Sequence, residues 1–128
     1  MMISLGLLVI RLVVGLSFAA HGLQKVGLFG GSGLAKFGQV LESTGVKPGY
    51  LMAILAAFGE IAGGLLFAAG VFVPFAAFLI VVTMIVAIVT VHGKNGFWLT
   101  KNGCEYNLVL IAIAIGVALT GPGEYVLF

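Results

Sequence analysis

Arg11 and Glu60 are the residues whose placement first asks for a chemical explanation. Each stands inside an otherwise apolar run, Ile3 to Ala20 for the arginine and Leu51 to Val73 for the glutamate. A charge at the centre of a membrane helix costs about 2.5–3.5 kcal/mol on insertion scales, so such residues turn inward and find partners. A guanidinium and a carboxylate can satisfy each other through two parallel hydrogen bonds, which makes an Arg11–Glu60 charge pair the simplest arrangement. A second set of polar side chains comprises His21 with Lys25, His92 with Lys94, and the run Glu105-Tyr106-Asn107. Imidazole, ammonium, carboxylate and phenol brought to one place could move protons or hold a polar headgroup.

Each feature also has a purely structural reading. A buried ion pair can serve only to fix helix register. An interfacial histidine can hydrogen-bond a helix-end carbonyl and touch no metal, haem or quinone. Trp98 and Tyr106 suit the aromatic belt at a membrane surface. Cys104, beside Lys101, reads as a small passive residue or as a thiolate favoured by the nearby charge. It is the only cysteine, so one chain builds no disulfide, Cys-x-x-Cys pair or thiolate metal cage, and no metal site is expected. Redox chemistry would need a bound cofactor, the electrons of a substrate or a partner protein. The run Gly30-Gly31-Ser32-Gly33 follows no strand and reads as a turn, not a phosphate loop.

Hydrophobic residues make up 62% of the chain, charged residues 8%, and the mean hydropathy is +1.28. Soluble domains carry about a quarter charged residues, so the composition defines an integral membrane protein covered by lipid. The net charge of +2 says little about nucleic acid; the positive residues sit in connecting segments, where they mark orientation, and no nucleic-acid partner is expected. One domain, 1–128, is expected, with helical spans at about 3–22, 50–70, 75–91 and 104–121. The first is read as a retained span and not a cleaved signal, because no basic segment precedes it and Arg11 interrupts it. The fold class expected is an all-α, multi-pass four-helix bundle. Between the first two spans, Leu34, Phe37, Val40 and Leu41 recur opposite Lys36, Gln39 and Glu42, which predicts a short amphipathic helix in the interface.

With four spans, both termini share one side, and the segments 23–49 and 92–103 share the other. All five lysines fall in the latter, which places those connections in the cytoplasm and the termini outside. The first and third spans then run parallel, bringing His21, Lys25, His92, Lys94, Glu105, Tyr106 and Asn107 to one end. At about 1.5 Å per residue, Arg11 lies about 12 Å and Glu60 about 15 Å from the outer ends of their spans. Gly15 and Gly22 on one helix, and Gly59, Gly63 and Gly64 on the other, would line the same close interface as the charge pair. Glu105 is expected to point inward along a stripe with Ala112 and Gly116.

Taken in order, Arg11 in Arg-Leu-Val-Val-Gly, His21-Gly22 with Lys25, Gly59-Glu60 with Gly63-Gly64, His92-Gly93, Glu105-Tyr106-Asn107 and the closing Gly121-Pro122-Gly123-Glu124-Tyr125 resemble the DoxX family of small bacterial membrane proteins. The tail departs from the family's pattern, in which a basic residue and Tyr-Ser-Leu-Asp follow Gly-Pro-Gly; here Glu124, Val126 and Phe128 stand instead. The resemblance implies a four-span bundle in the bacterial cytoplasmic membrane. Its members look like subunits of quinone-linked oxidoreductases or accessories of oxidative-stress and detoxification systems. It implies quinone as the cofactor to look for, and a redox protein or further copies of a membrane chain as partners. It does not decide whether the chain is itself an enzyme. Two other functions stay open: a non-catalytic scaffold for soluble redox enzymes, and a small-molecule permease in which Glu60 titrates.

Overall fold

A computed structural model describes every residue except Phe29, Ser32 and Phe128, together with all side chains but that of Val91 among the rest. Ser32 of the glycine-rich turn and Phe128 of the tail therefore lie outside the described residues. The described chain is all-α. Its helices are α1 (Met2–Lys25), α2 (Leu34–Ser43), α3 (Gly49–Ala69), α4 (Val73–Ala87) and α5 (Glu105–Thr120). A π-helical turn, Ile88–His92, prolongs α4, and two short 3-10 turns lie in the connection to α5.

Three helical stretches are long and apolar enough to cross a membrane: Met2–Lys25, Gly49–Ala69 and Val73–Thr90. The fourth apolar helix, α5, has 16 residues, about 24 Å of rise against about 30 Å of hydrocarbon. α3 is the hub, packing on α1, α2 and α4, and α4 in turn packs on α5. The interior and exterior are arranged as lipid demands. Ala53, Ala57, Ala68, Ala76, Ala77 and Ala114 are buried, whereas Phe58 is 70% and Phe78 62% exposed. Small residues inside permit close helix contact, and large apolar ones outside meet acyl chains. Phe18, Phe67, Ile80, Met84 and Leu110 fill what the small residues leave. The chain is thus a membrane helical bundle.

Glycines set the register of α1 against α3. A methyl group on Gly15 would lie 2.5 Å from the Gly64 carbonyl oxygen, and one on Gly22 would lie 2.9 Å from the Ala57 carbonyl oxygen. Backbone touches backbone at both points, so the two helices lock at a fixed offset. The expected single glycine interface is divided, however. Gly64 faces α1, while Gly63 meets Leu79 and Gly59 meets Thr83, both on α4. Residues four apart, 59 and 63, share one helix face and 64 lies on the next, so α3 uses its small residues to pack on two neighbours.

The turn after α3 is built by Gly70 in the left-handed region, φ 76°, whose N–H reaches back to the Leu66 and Phe67 carbonyls. Pro74 then opens α4, where its missing N–H costs no helical bond. At the opposite end, α2 lies across the beginning of α3. A methyl group on Gly49 would strike the Gly38 carbonyl oxygen, and the Gly49 N–H donates to Glu42 Oε2 at 2.9 Å.

Candidate functional site

The register just described separates Arg11 from Glu60 and overturns the expected pair. The neighbour of Glu60 on α1 is Gly22, three turns and about 16 Å along the axis from Arg11. Equal depths follow only if the outer ends of the two helices align. In the structure α1 overhangs the C-terminal end of α3, because the glycine contacts, and not the charges, decide the offset.

Arg11 instead ties together the end of α3 and the C-terminal tail. Its Nε donates to the Phe67 carbonyl at 3.3 Å and its Nη2 to the Ala68 carbonyl at 3.0 Å. Nη1 donates to Pro122 O and Nη2 to Tyr125 O, both at 2.7 Å. The last carbonyls of a helix lack intrahelical partners and carry the negative end of its dipole, so a guanidinium there answers both needs. The third such carbonyl, Ala69 O, accepts from Leu127 N–H at 3.1 Å. Ser4 Oγ accepts from Glu124 N–H at 3.1 Å and fixes the tail to α1. An open depression of about 880 Å³ adjoins this arrangement, but four of the five Arg11 N–H donors are already committed there.

Lys25 is the actual partner of Glu60. α1 continues as a helix through Lys25, past the expected end at Gly22, and its ammonium lies 2.6 Å from Glu60 Oε1. The carboxylate is deeply buried, at 3% side-chain exposure, while the lysine retains 22%. Phe37 of α2 covers the ammonium, which sits 5.0 Å from the ring centroid in cation–π geometry. The other carboxylate oxygen, Oε2, is buried without a hydrogen-bond partner.

This pair borders a cavity of about 480 Å³ beneath α2. Phe37, Val40 and Leu41 of α2 form one wall, Gly59 and Glu60 of α3 a second, and Phe78, Val82 and Thr83 of α4 a third. The π turn carries Thr90 and His92 to the same cavity. Such turns insert an extra residue into a helix and re-aim the side chains that follow. The apolar face foreseen for α2 therefore looks onto this space as well as toward lipid.

The remaining candidate residues divide. His21 donates from Nδ1 to Ser17 O at 2.8 Å, and its ring lies 5.7 Å from that of Tyr106. His92 likewise donates from Nδ1 to Asn102 O at 2.9 Å. In the neutral imidazole that choice leaves Nε2 as an acceptor in both. Glu105 does not join the cluster: it accepts from Leu99 N–H at 2.9 Å and holds the preceding loop. Its place at the first turn of α5 explains this, since a carboxylate there can reach exposed N–H groups. Asn107 is buried in the core, donating to the Met84 sulfur at 3.3 Å with its Oδ1 unpartnered. Among the described residues, no group of three His, Cys, Asp or Glu side chains could hold a metal ion.

A membrane helical bundle with a polar pair bordering an apolar cavity is the class that fold and site define. The DoxX family profile matches residues 6–93, from α1 through the π turn. The chain belongs to that family. It is also 32% identical over 118 residues to the Bacillus subtilis (strain 168) protein described as "Putative oxidoreductase CatD", covering 92% of this chain and 81% of that one. No solved structure shows a significant match.

Proposed function

We propose that this chain is a membrane subunit or accessory of a quinone-linked oxidoreductase or detoxification system, and that the cavity beneath α2 receives the lipid-soluble ligand. The observation that carries the reading is the cavity itself: about 480 Å³, mostly apolar, with the Lys25–Glu60 pair at its wall. Ligand sites characteristically combine apolar walls with a few placed polar groups. Membership in the DoxX family and the oxidoreductase description of the relative support the redox assignment. A lone cysteine gives the chain no dithiol of its own, so electrons pass between the ligand and a partner protein.

The same reading places the chain in the bacterial cytoplasmic membrane as four spans, with α2 and the loop 93–104 in the cytoplasm and both termini outside. The lysines of these segments support that orientation. The test is purification in mild detergent, followed by absorbance and mass spectrometry of extracted lipids. Quinone is expected to co-extract with the wild-type chain and to fall in a Val82→Trp variant that fills the cavity. Repeated absence of quinone, with membrane quinone reduction unchanged in His21→Ala/His92→Ala, overturns the reading.

One observation favours a scaffold instead. Phe97, Trp98 and Leu99 are exposed between Lys94 and Lys101, with the Phe97 and Trp98 rings in edge contact at 5.2 Å. If this loop anchors a soluble enzyme, Lys94→Glu or Trp98→Ala abolishes its co-purification while the bundle stays folded.

A further inference from the structure

Glu60 has hydrogen-bonding capacity that its neighbours do not use. An ionised carboxylate only accepts, through two oxygens. Oε1 takes the Lys25 ammonium, whereas Oε2 is buried with no partner, in a residue only 2% exposed. Native proteins seldom leave such an oxygen orphaned unless something else binds there.

The other polar groups around the cavity narrow the ligand. The Thr83 and Thr90 hydroxyls donate to the Leu79 and Val86 carbonyls of their own helix, at 2.7 and 2.8 Å, and His92 commits its Nδ1 to Asn102 O, so that a neutral imidazole adds only an acceptor. The Lys25 ammonium has three N–H donors, of which the ion pair takes one. Lys25 and Glu60 both line the cavity, and a ligand group that reaches Oε2, whose surface neighbouring protein atoms cover, meets an acceptor and a donor side by side. A hydroxyl is complementary to both, giving one hydrogen and receiving another. A ketone oxygen can use only the donor and would turn its lone pairs toward the carboxylate.

Size and surroundings narrow it again. A cavity of roughly 150 Å³ suffices for benzene, so about 480 Å³ accommodates one substituted ring and the start of a side chain. We propose that the cavity beneath α2 selects a single-ring aromatic alcohol, the ligand hydroxyl donating to Glu60 Oε2 and accepting from Lys25 Nζ, over the same ring bearing only carbonyl oxygens. Of a quinone and hydroquinone couple, the reduced member is the one held. The inference rests on the quinone-linked reading and adds a redox-state preference to it.

The test uses the full chain in lipid nanodiscs under anaerobic conditions, with three probes titrated by calorimetry: methylhydroquinone, methyl-1,4-benzoquinone and the dimethyl ether of methylhydroquinone. A hydrogen bond to a charged acceptor separates donor-bearing from donor-free ligands by about tenfold or more. Methylhydroquinone is expected to bind that much more tightly than the other two. Glu60→Gln should bring the three affinities together. Val82→Trp, which fills the cavity from α4, the helix that does not carry the ion pair, should abolish binding and keeps the test valid if the Glu60 variant fails to fold. Equal or tighter binding of the benzoquinone overturns the selectivity while leaving the quinone-linked reading intact. Undiminished hydroquinone binding in Val82→Trp overturns the location. Absence of binding by both redox forms to the folded wild-type chain overturns the inference and the reading together.

Discussion

The two members of the Lys25–Glu60 pair should not be equally costly to remove. In Lys25→Met the carboxylate stays at 3% exposure with no counter-charge, and breaking a buried pair in this way costs about 3–5 kcal/mol. In Glu60→Gln the ammonium left behind is already 22% exposed. A lysine at a helix end can swing its head to the interface while its stem stays packed. The new amide also keeps an oxygen for Nζ, so the expected cost is about 1 kcal/mol or less. The double variant carries neither stranded charge and should recover most of the loss. The cycle then gives a coupling of about 2–3 kcal/mol.

Thermal unfolding in nanodiscs can be followed by the reactivity of Cys104, a free thiol of intermediate burial. For a chain of this size, Lys25→Met should lower the midpoint by roughly 10 °C and Glu60→Gln by a few degrees. Acidification should narrow the gap, because a proton neutralises the stranded carboxylate. The Lys25→Met defect is thus largest at high pH and shrinks as pH falls. If Glu60→Gln proved as damaging as Lys25→Met, or if the double variant were the least stable of the three, the pairing and the burial asymmetry would both be wrong.

Other perturbations probe the rest of the bundle. Arg11→Met strands the Ala68 carbonyl, while the Phe67 carbonyl keeps the Gly70 N–H and Pro122 and Tyr125 regain water, for a loss of about 1–3 kcal/mol; limited proteolysis should show the tail released, and a protected tail would refute its role as a clasp. Gly64→Ala drives a methyl group into the backbone of α1 and should cost about 1–3 kcal/mol. Gly116→Ala meets nothing within 4 Å and should be neutral or stabilising by up to about 1 kcal/mol; a reversed order in melting temperature would sink the glycine-register argument. Cys104 should resist a membrane-impermeant thiol reagent in intact cells and react after permeabilisation; labelling of intact cells would invert the orientation.

What the sequence disclosed depended on whether the signal was local. Apolar runs, the Gly70 and Pro74 punctuation and the period of Leu34, Phe37 and Leu41 are local, and they led directly to an all-α membrane fold with an amphipathic α2. Lys25 was visible as a cluster member, but its bond to Glu60 requires knowing that α1 continues for another turn. The tail was harder to read, since its ligands to Arg11 are backbone carbonyls of Pro122 and Tyr125. Carbonyls have no residue type to recognise. The nearest signal is Arg11 itself, an arginine whose donors outnumber the acceptors one glutamate could offer.

The mistaken charge pair exposes the physical hierarchy in such a bundle. Ion pairing is strong but accommodating, because long side chains reach several partners, whereas two backbones in contact admit only one offset. Gly15 against Gly64, and Gly22 against Ala57, therefore fix the helices first. The charges then find what that geometry leaves them. Arg11 receives a helix end and a folded tail, and Glu60 receives Lys25. Because the glycines already hold the register, Glu60 is not needed to set it. Its second oxygen, left without a protein partner, is then available to the ligand proposed for the cavity beneath α2.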